Sequence, residues 1–210
     1  PLIEGLEGVL LRPPSGLGAL LTAGKADAVL VSAIEVLRHG WSYVPGIAVA
    51  SPGRTDSVRL HHRVPLSRVR RVALDRNSRS SNALARILLE RRYGLRPAYV
   101  TRDPSRRLSL AGLDAALTIG DTSFRRARWP YLDLGTEWRK FTGLPFVYAL
   151  WAYLPGHPRA RELGAVLRRA KALGLSRLDE IAAREAKRLG RTSGFCLRYL
   201  TKYITYDLGH

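Results

Sequence analysis

Short β-rich runs alternate with amphipathic helical patterns over the first three quarters of the chain, and this alternation constrains the fold more than any other feature. Residues 8–12, 27–32, 46–51, 58–64, 71–75, 97–100, 115–120 and 145–153 read as strands. Helices are expected between them near 15–24, 81–93, 109–113, 122–127 and 136–142. From Pro158 onward only helical texture remains, in three segments that open on Ser or Pro, the first two closing on Gly. Strands alternating with helices imply an α/β chain with parallel sheets and a helical finish packed back on them.

Composition narrows what such a chain can do. With 210 residues and 46% hydrophobic side chains, it can bury a core as one large domain or two small lobes. Thirty-five basic residues against 17 acidic ones leave a formal charge of +18. Only five are Lys, and the Arg residues are spread from Arg12 to Arg198 without a block or an aromatic RNA-binding motif, so no nucleic-acid partner is expected. The cadence of 178–200 resembles a helix-turn-helix, but its first helix is too long for one. The longest apolar run, 144–154, is about half of what a membrane span requires, so no membrane partner is expected either. One cysteine, Cys196, cannot form an internal disulfide, which fits a reducing, cytoplasmic setting.

The common catalytic signatures are missing: no G-x-S-x-G, Walker A, H-E-x-x-H or C-x-x-C. The sequence GLGALL at 16–21 falls short of a dinucleotide fingerprint and reads as helix packing. His61 and His62 are neighbours on a strand, so they point to opposite faces and cannot share a metal. No metal or organic cofactor is expected.

What remains is a set of small polar residues at the carboxyl ends of strands, where α/β sheets bind ligands. Ser32 ends one strand and Ser51 another; Gly120 and Asp121 follow a third. After the strand 71–75 comes NSRSSN, with Ser78, Ser80, Ser81 and Asn82 crowding a helix start. Ser80 or Ser81 would cap that helix, and the surplus hydroxyls with the free helix-start amides suit a carboxylate or phosphate.

The blocks AGKADAVLVSAIEVLR, PGIAVASPGRTDSVRL, VALDRNSRSSNALARILL, ALTIGD and LDLGTEWRKFTGLPFVYALWAYL, in this order, resemble the chorismate dehydratases of the futalosine route to menaquinone. The resemblance covers most of residues 20–154. It implies a two-lobe fold like the type 2 periplasmic binding proteins, with two crossover strands and a C-terminal helical region. On that template, lobe one holds 1–76 and 146–210, lobe two holds 77–145, and the strands 71–75 and 145–153 cross between them.

The implied reaction is loss of water from chorismate, a dianion, to give 3-[(1-carboxyvinyl)oxy]benzoate, without a cofactor. Ser80 and Ser81 would hold one carboxylate, with Ser78, Asn82 and Gly120 nearby, and Ser32 and Ser51 would contribute to the other. Ser81 and Asp121 are the candidate catalytic residues, although a substrate carboxylate could itself serve as the base. The end of the family's Asn-x-x-Pro-Leu motif matches at Pro1-Leu2, so on this resemblance either the sequence is trimmed ahead of residue 1 or a ligand-facing Asn and an edge of lobe one are missing. The sister family making 1,4-dihydroxy-6-naphthoate would be expected to use a cleft histidine, which these blocks lack. A non-catalytic binding protein for a small carboxylate is the other alternative.

Overall fold

The structure, a computed structural model, describes residues 1–12, 14–103, 108–125 and 127–207. Along the chain come α1 (Pro14–Thr22), β1 (Val29–Ser32), α2 (Ala33–His39), β2 (Ser42–Ser51), β3 (Val58–His62), β4 (Arg71–Asp75) and α3 (Arg79–Ile87), the last widening into a π turn at Leu88–Arg92. Then follow β5 (Ala98–Arg102), β6 (Ala115–Ile119), β7 (Tyr131–Asp133), α4 (Leu134–Thr142), β8 (Phe146–Tyr153), α5 (Ala160–Ser176), α6 (Leu178–Leu189) and α7 (Ser193–Arg198). They form two units, one of residues 1–50 and 147–210, the other of residues 51–146.

In the first unit the sheet order is β1-β8-β2, and β1 runs antiparallel to β8, Val29 opposite Ala152. Alternation along the strands divides the core. Val29, Val31, Leu150, Ala152, Ala48 and Ala50 pack with Leu21 of α1 and Val36 of α2. Val44, Ile47 and Trp151 pack with Leu167 of α5 and with Ile204 and Tyr206 of the C-terminal tail. That tail is tied to β2 by paired backbone bonds between Ala50 and Thr205.

The second unit is a five-stranded sheet, β5-β4-β6-β3-β7. Strands β5, β4 and β6 are parallel, whereas β3 is antiparallel to both β6 and β7. The expected parallel sheets are therefore not found: the sheet of the second unit is mixed, and the β1–β8 pair of the first is antiparallel.

The boundary between units also differs from expectation. Residues 51–76 belong to the second unit because β3 and β4 both hydrogen-bond to β6. The chain enters that unit at the end of β2, not through residues 71–75, and leaves it at the start of β8.

Several local expectations change as well. Residues 8–12 form no strand, and Val9, Leu10 and Leu11 are exposed. Residues 109–113 form a turn rather than a helix, and 122–127 contribute only a single 3-10 turn, Gly120–Phe124, with residue 126 outside the described set. Helix α2 and strand β7 lacked a long enough pattern to be read. Gly174 was expected to end a helix but lies inside α5, where a Cβ would come within 1.9 Å of the Pro1 carbonyl oxygen. Close packing explains that glycine. Ser176 consequently ends α5 and donates to Leu173 O instead of capping α6.

Candidate active site at the strand ends

Strand β4 is buried from Val72 to Asp75, and the turn after it is built from side-chain bonds. Asp75 Oδ1 accepts from Asn77 N at 2.8 Å, and Ser78, in extended backbone, becomes the N-cap of α3 by accepting from Ser81 N. The cap is thus Ser78, not Ser80 or Ser81. Ser78 Oγ also donates to Ser81 Oγ at 2.8 Å, which leaves the Ser81 proton for another acceptor. Ser80 and Ser81 are both 2% exposed in the first turn of α3. Hydroxyls and helix-start amides therefore stand together at the carboxyl end of a parallel strand, a setting that favours an anion.

Asn82 departs from its expected role. Its Nδ2 donates to Asp75 O at 2.7 Å and its Oδ1 accepts from Asp75 N at 3.1 Å, so the amide is committed at both ends to the backbone. It holds the strand-to-helix turn through both bonds.

Adjacent β6 ends at Gly120, whose φ of +54° lets the strand turn abruptly into the 3-10 segment. Gly120 N donates to Ser57 O at 2.8 Å, so this amide too serves the fold. Asp121 follows, exposed, and does not cap the turn. Ser51 is 1% exposed and donates to Gly53 O. Ser32 belongs to the first unit, where it is buried ahead of α2 without making a side-chain cap bond. Among the expected residues, the structure gathers Ser78, Ser80, Ser81, Gly120 and Asp121 at the ends of neighbouring parallel strands of the second unit.

A cavity of about 750 Å³ lies along one face of the same sheet. The strand registers place Ala73, Asp75, Ala116, Thr118 and His61 on that face. Its rim carries Arg63, Arg102, Arg125 and Arg128 against Asp75 and Asp103, an excess of positive charge, with Trp129 beneath the Arg128 guanidinium. Burial pushes the Asp75 carboxyl above its ordinary range, partly offset by the Asn77 amide. His61 is 2% exposed, with Nε2 3.2 Å from Thr118 Oγ1 and Nδ1 lacking a partner of good geometry. The Trp129 backbone favours the charged ring slightly, but burial dominates and lowers its pKa to about 4. This imidazole is neutral at pH 7. His62 points the other way, to Val64 O.

Two anchoring carboxylates, half-buried Asp133 and buried Glu137, have no counterpart in the sequence reading. The Asp133 carboxylate caps α4 through Thr136 and also accepts from the backbone N–H groups of Thr55 and Asp56, fixing the loop after β2. Asp56 there adopts φ +57° and pairs with Arg54 and Arg59. Glu137, 6% exposed, receives Tyr93, Arg92 and Lys140; burial raises its pKa, but these partners outweigh burial and hold it below its ordinary value. The D-L-G-T spacing of a capping Asp and Thr136 was the available signal for the first. Nothing local marks the second.

Comparison with known proteins agrees with this architecture. The sequence matches the menaquinone biosynthesis family over residues 2–210, and the chain belongs to that family. It is 38% identical to the chorismate dehydratase of Thermus thermophilus, an alignment covering 90% of this chain and 76% of that protein. Among solved structures, protein AF1704 of Archaeoglobus fulgidus superposes with a TM-score of 0.72 at 17% identity, covering 96% of this chain and 79% of that one. An ABC transporter protein of Parabacteroides distasonis gives 0.56 at 16% identity, covering 94% and 75%. The fold is α/β and like that of the periplasmic binding proteins. Among the described residues no helix is long and apolar enough to cross a membrane, and no group of three or more His, Cys, Asp or Glu is placed to hold a metal.

Proposed function

We propose that the protein is a chorismate dehydratase, removing water from chorismate to form 3-[(1-carboxyvinyl)oxy]benzoate. The observation that carries this reading is the 38% identity to an enzyme of that name along nearly the whole chain. A ring proton and the neighbouring hydroxyl leave together as water. The product ring is aromatic, which supplies the driving force, and no electrons are transferred, so the reaction requires no redox cofactor. The protein's task is to bind a dianion, orient it and keep the leaving groups aligned.

In this reading the Ser81 hydroxyl, Ser80 and the first amides of α3 hold one substrate carboxylate. The positive rim of the sheet-face cavity, at Arg102, Arg125 and Arg128, draws the dianion toward the second unit. The cavity's volume lies within the roughly 300–1,000 Å³ common for small-molecule sites. Asp121, exposed beside Gly120 at the end of β6, is the candidate proton acceptor, unless the substrate supplies its own. The single cysteine, buried Cys196, suits a reducing compartment such as the cytoplasm.

The test is direct. Chorismate added to the purified protein should yield the aromatic enolpyruvyl product, seen by ultraviolet absorbance and mass spectrometry. Binding without turnover would instead identify a solute-binding protein. Ser81→Ala should weaken binding about ten- to a hundred-fold through loss of a charge-assisted hydrogen bond. A Ser81→Ala protein that melts earlier but binds chorismate normally would place the carboxylate elsewhere.

A further inference from the structure

Asn82, in the first turns of α3, closes the end of a β-sheet ladder. Along β4, Arg76 N donates to Arg102 O on the β5 side, and Arg71 O accepts from Asp114 N on the β6 side. Alternation along the strand therefore turns both backbone groups of Asp75 toward β6. The register between β4 and β6 stops at Ala73 opposite Ala116. Asp75 thus lies beyond the end of the ladder, 5% exposed, with an N–H and a C=O that need partners. The Asn82 amide supplies both, donor and acceptor, as a peptide group of a neighbouring strand would.

The other links of the turn lie between these two residues. Asn77 N reaches the Asp75 carboxylate, Asn82 N donates to Ser78 O, and Ser78 caps Ser81 N. Strand end and helix start are one bonded unit, and Asn82 is its only side chain that pairs both the N–H and the C=O of the strand end among the described residues.

We propose that Asn82 is a positioning residue: it fixes the first turn of α3 against β4 and so sets the direction of the Ser80 and Ser81 hydroxyls and of the helix-start amides. Its effect on catalysis rests on the dehydratase reading, in which those groups hold a substrate carboxylate. Asn82 does not touch the substrate; it aims what does. Asparagine is required because one group must both donate and accept. An aspartate of the same shape would still accept from Asp75 N, but its second oxygen would face the Asp75 carbonyl, acceptor against acceptor.

Asn82→Asp therefore tests the lock, with Leu167→Ala as a control, since Leu167 lies buried in α5 of the first unit. Two quantities are measured on folded, full-length protein: amide exchange of residues 76–81 without ligand, and steady-state kinetics on chorismate. Asn82→Asp should speed exchange in that turn and raise KM by about tenfold or more, with a smaller change in kcat. Leu167→Ala, although it lowers the melting temperature, should change neither.

Unchanged exchange with a raised KM would make Asn82 a substrate contact, and faster exchange with unchanged KM would make it merely structural. Either result overturns the proposal. Asn82→Gln, with the same chemistry on a longer stem, should share the kinetic defect, and its full activity would also overturn it. If the wild type fails to turn over chorismate, the dehydratase reading falls and the catalytic part of the proposal with it. The exchange measurement still decides whether Asn82 sets the turn.

Discussion

The two units bury different kinds of side chain. Of thirteen buried polar or charged residues among those described, eleven lie in residues 51–146, and only Ser32 and Glu35 lie in the other unit. The first unit is held by apolar clusters on both faces of a three-stranded sheet, joined by helices whose ion pairs, such as Arg159–Glu162 and Arg177–Glu180, are solvent-exposed. Such pairs contribute little to stability. In the second unit, Asp133, Glu137, Asp56 and the His61–Thr118–Ser123 group are knitted into hydrogen-bond networks beside the sheet. Apolar packing tolerates small adjustments. A buried polar network does not, because each displaced donor or acceptor is left without water. The unit that carries the candidate site is also the one whose geometry is most tightly specified.

The sharpest challenge to this contrast is Gly135→Ala at the start of α4. The new Cβ would lie 2.2 Å from Gly53 O and 2.9 Å from Ser51 Oγ. The Gly53 carbonyl cannot retreat easily, since Ser51 donates to it and Asp133 clamps the amides of Thr55 and Asp56. A loss of about 3 kcal/mol or more is expected by denaturant unfolding. A loss under about 1 kcal/mol would show that the loop after β2 is soft and that the contrast is overstated.

Acid provides the next test. His61 has a folded pKa of about 4, below its ordinary 6.5, so the unfolded chain binds its proton first. The contribution is fully present above pH 6.5 and is lost as pH falls through 6.5 toward 4, on the order of 3 kcal/mol in all. Asp75 acts in the opposite sense, its raised pKa tightening the fold as pH falls through the carboxylate range, so the comparison belongs between about pH 7 and 5. Over that interval, amide exchange corrected for its intrinsic pH dependence should quicken in β3 and β6 before β1 and β8. The reverse order would break the comparison.

The smallest effect has the opposite sign. Gly164, buried in α5, would place a Cβ 3.1 Å from the guanidinium tip of Arg168, a flexible group that can move aside. Gly164→Ala should leave the protein unchanged or more stable by up to about 1 kcal/mol, through helix propensity alone. A marked drop in melting temperature would mean that the first unit is as closely specified as the second.

The α/β class, most of the strands, the helical finish and the packing role of GLGALL were legible in the sequence, because they depend on periodicity and on local punctuation. In the structure Gly18 does pack against the Trp41 ring. The polar cluster after β4 was legible too, since several small polar residues at a helix start exceed what one cap needs. The assignment of roles within it was not. Ser78, Ser80 and Ser81 are equivalent as letters, and only the backbone φ at Ser78 makes it the cap.

Asn82 looked like another donor for a ligand because its two partners lie seven residues back on a strand whose ladder ends early, and ladder length depends on β6, far along the chain. For the same reason residues 51–76 group with residues 77–146 rather than with the first unit: a strand's own sequence fixes that it is a strand, but its hydrogen-bond partner fixes which sheet it joins. Residues 8–12 show the converse, an apolar run that finds no partner and forms no strand. The residue pattern alone established most of the elements, the chemistry available at their ends and, through long blocks of resemblance, the family. Assembly in three dimensions settled which polar side chains hold the fold together, because hydrogen-bond capacity is allotted in space and a side chain already paired with the backbone has that much less to offer a ligand.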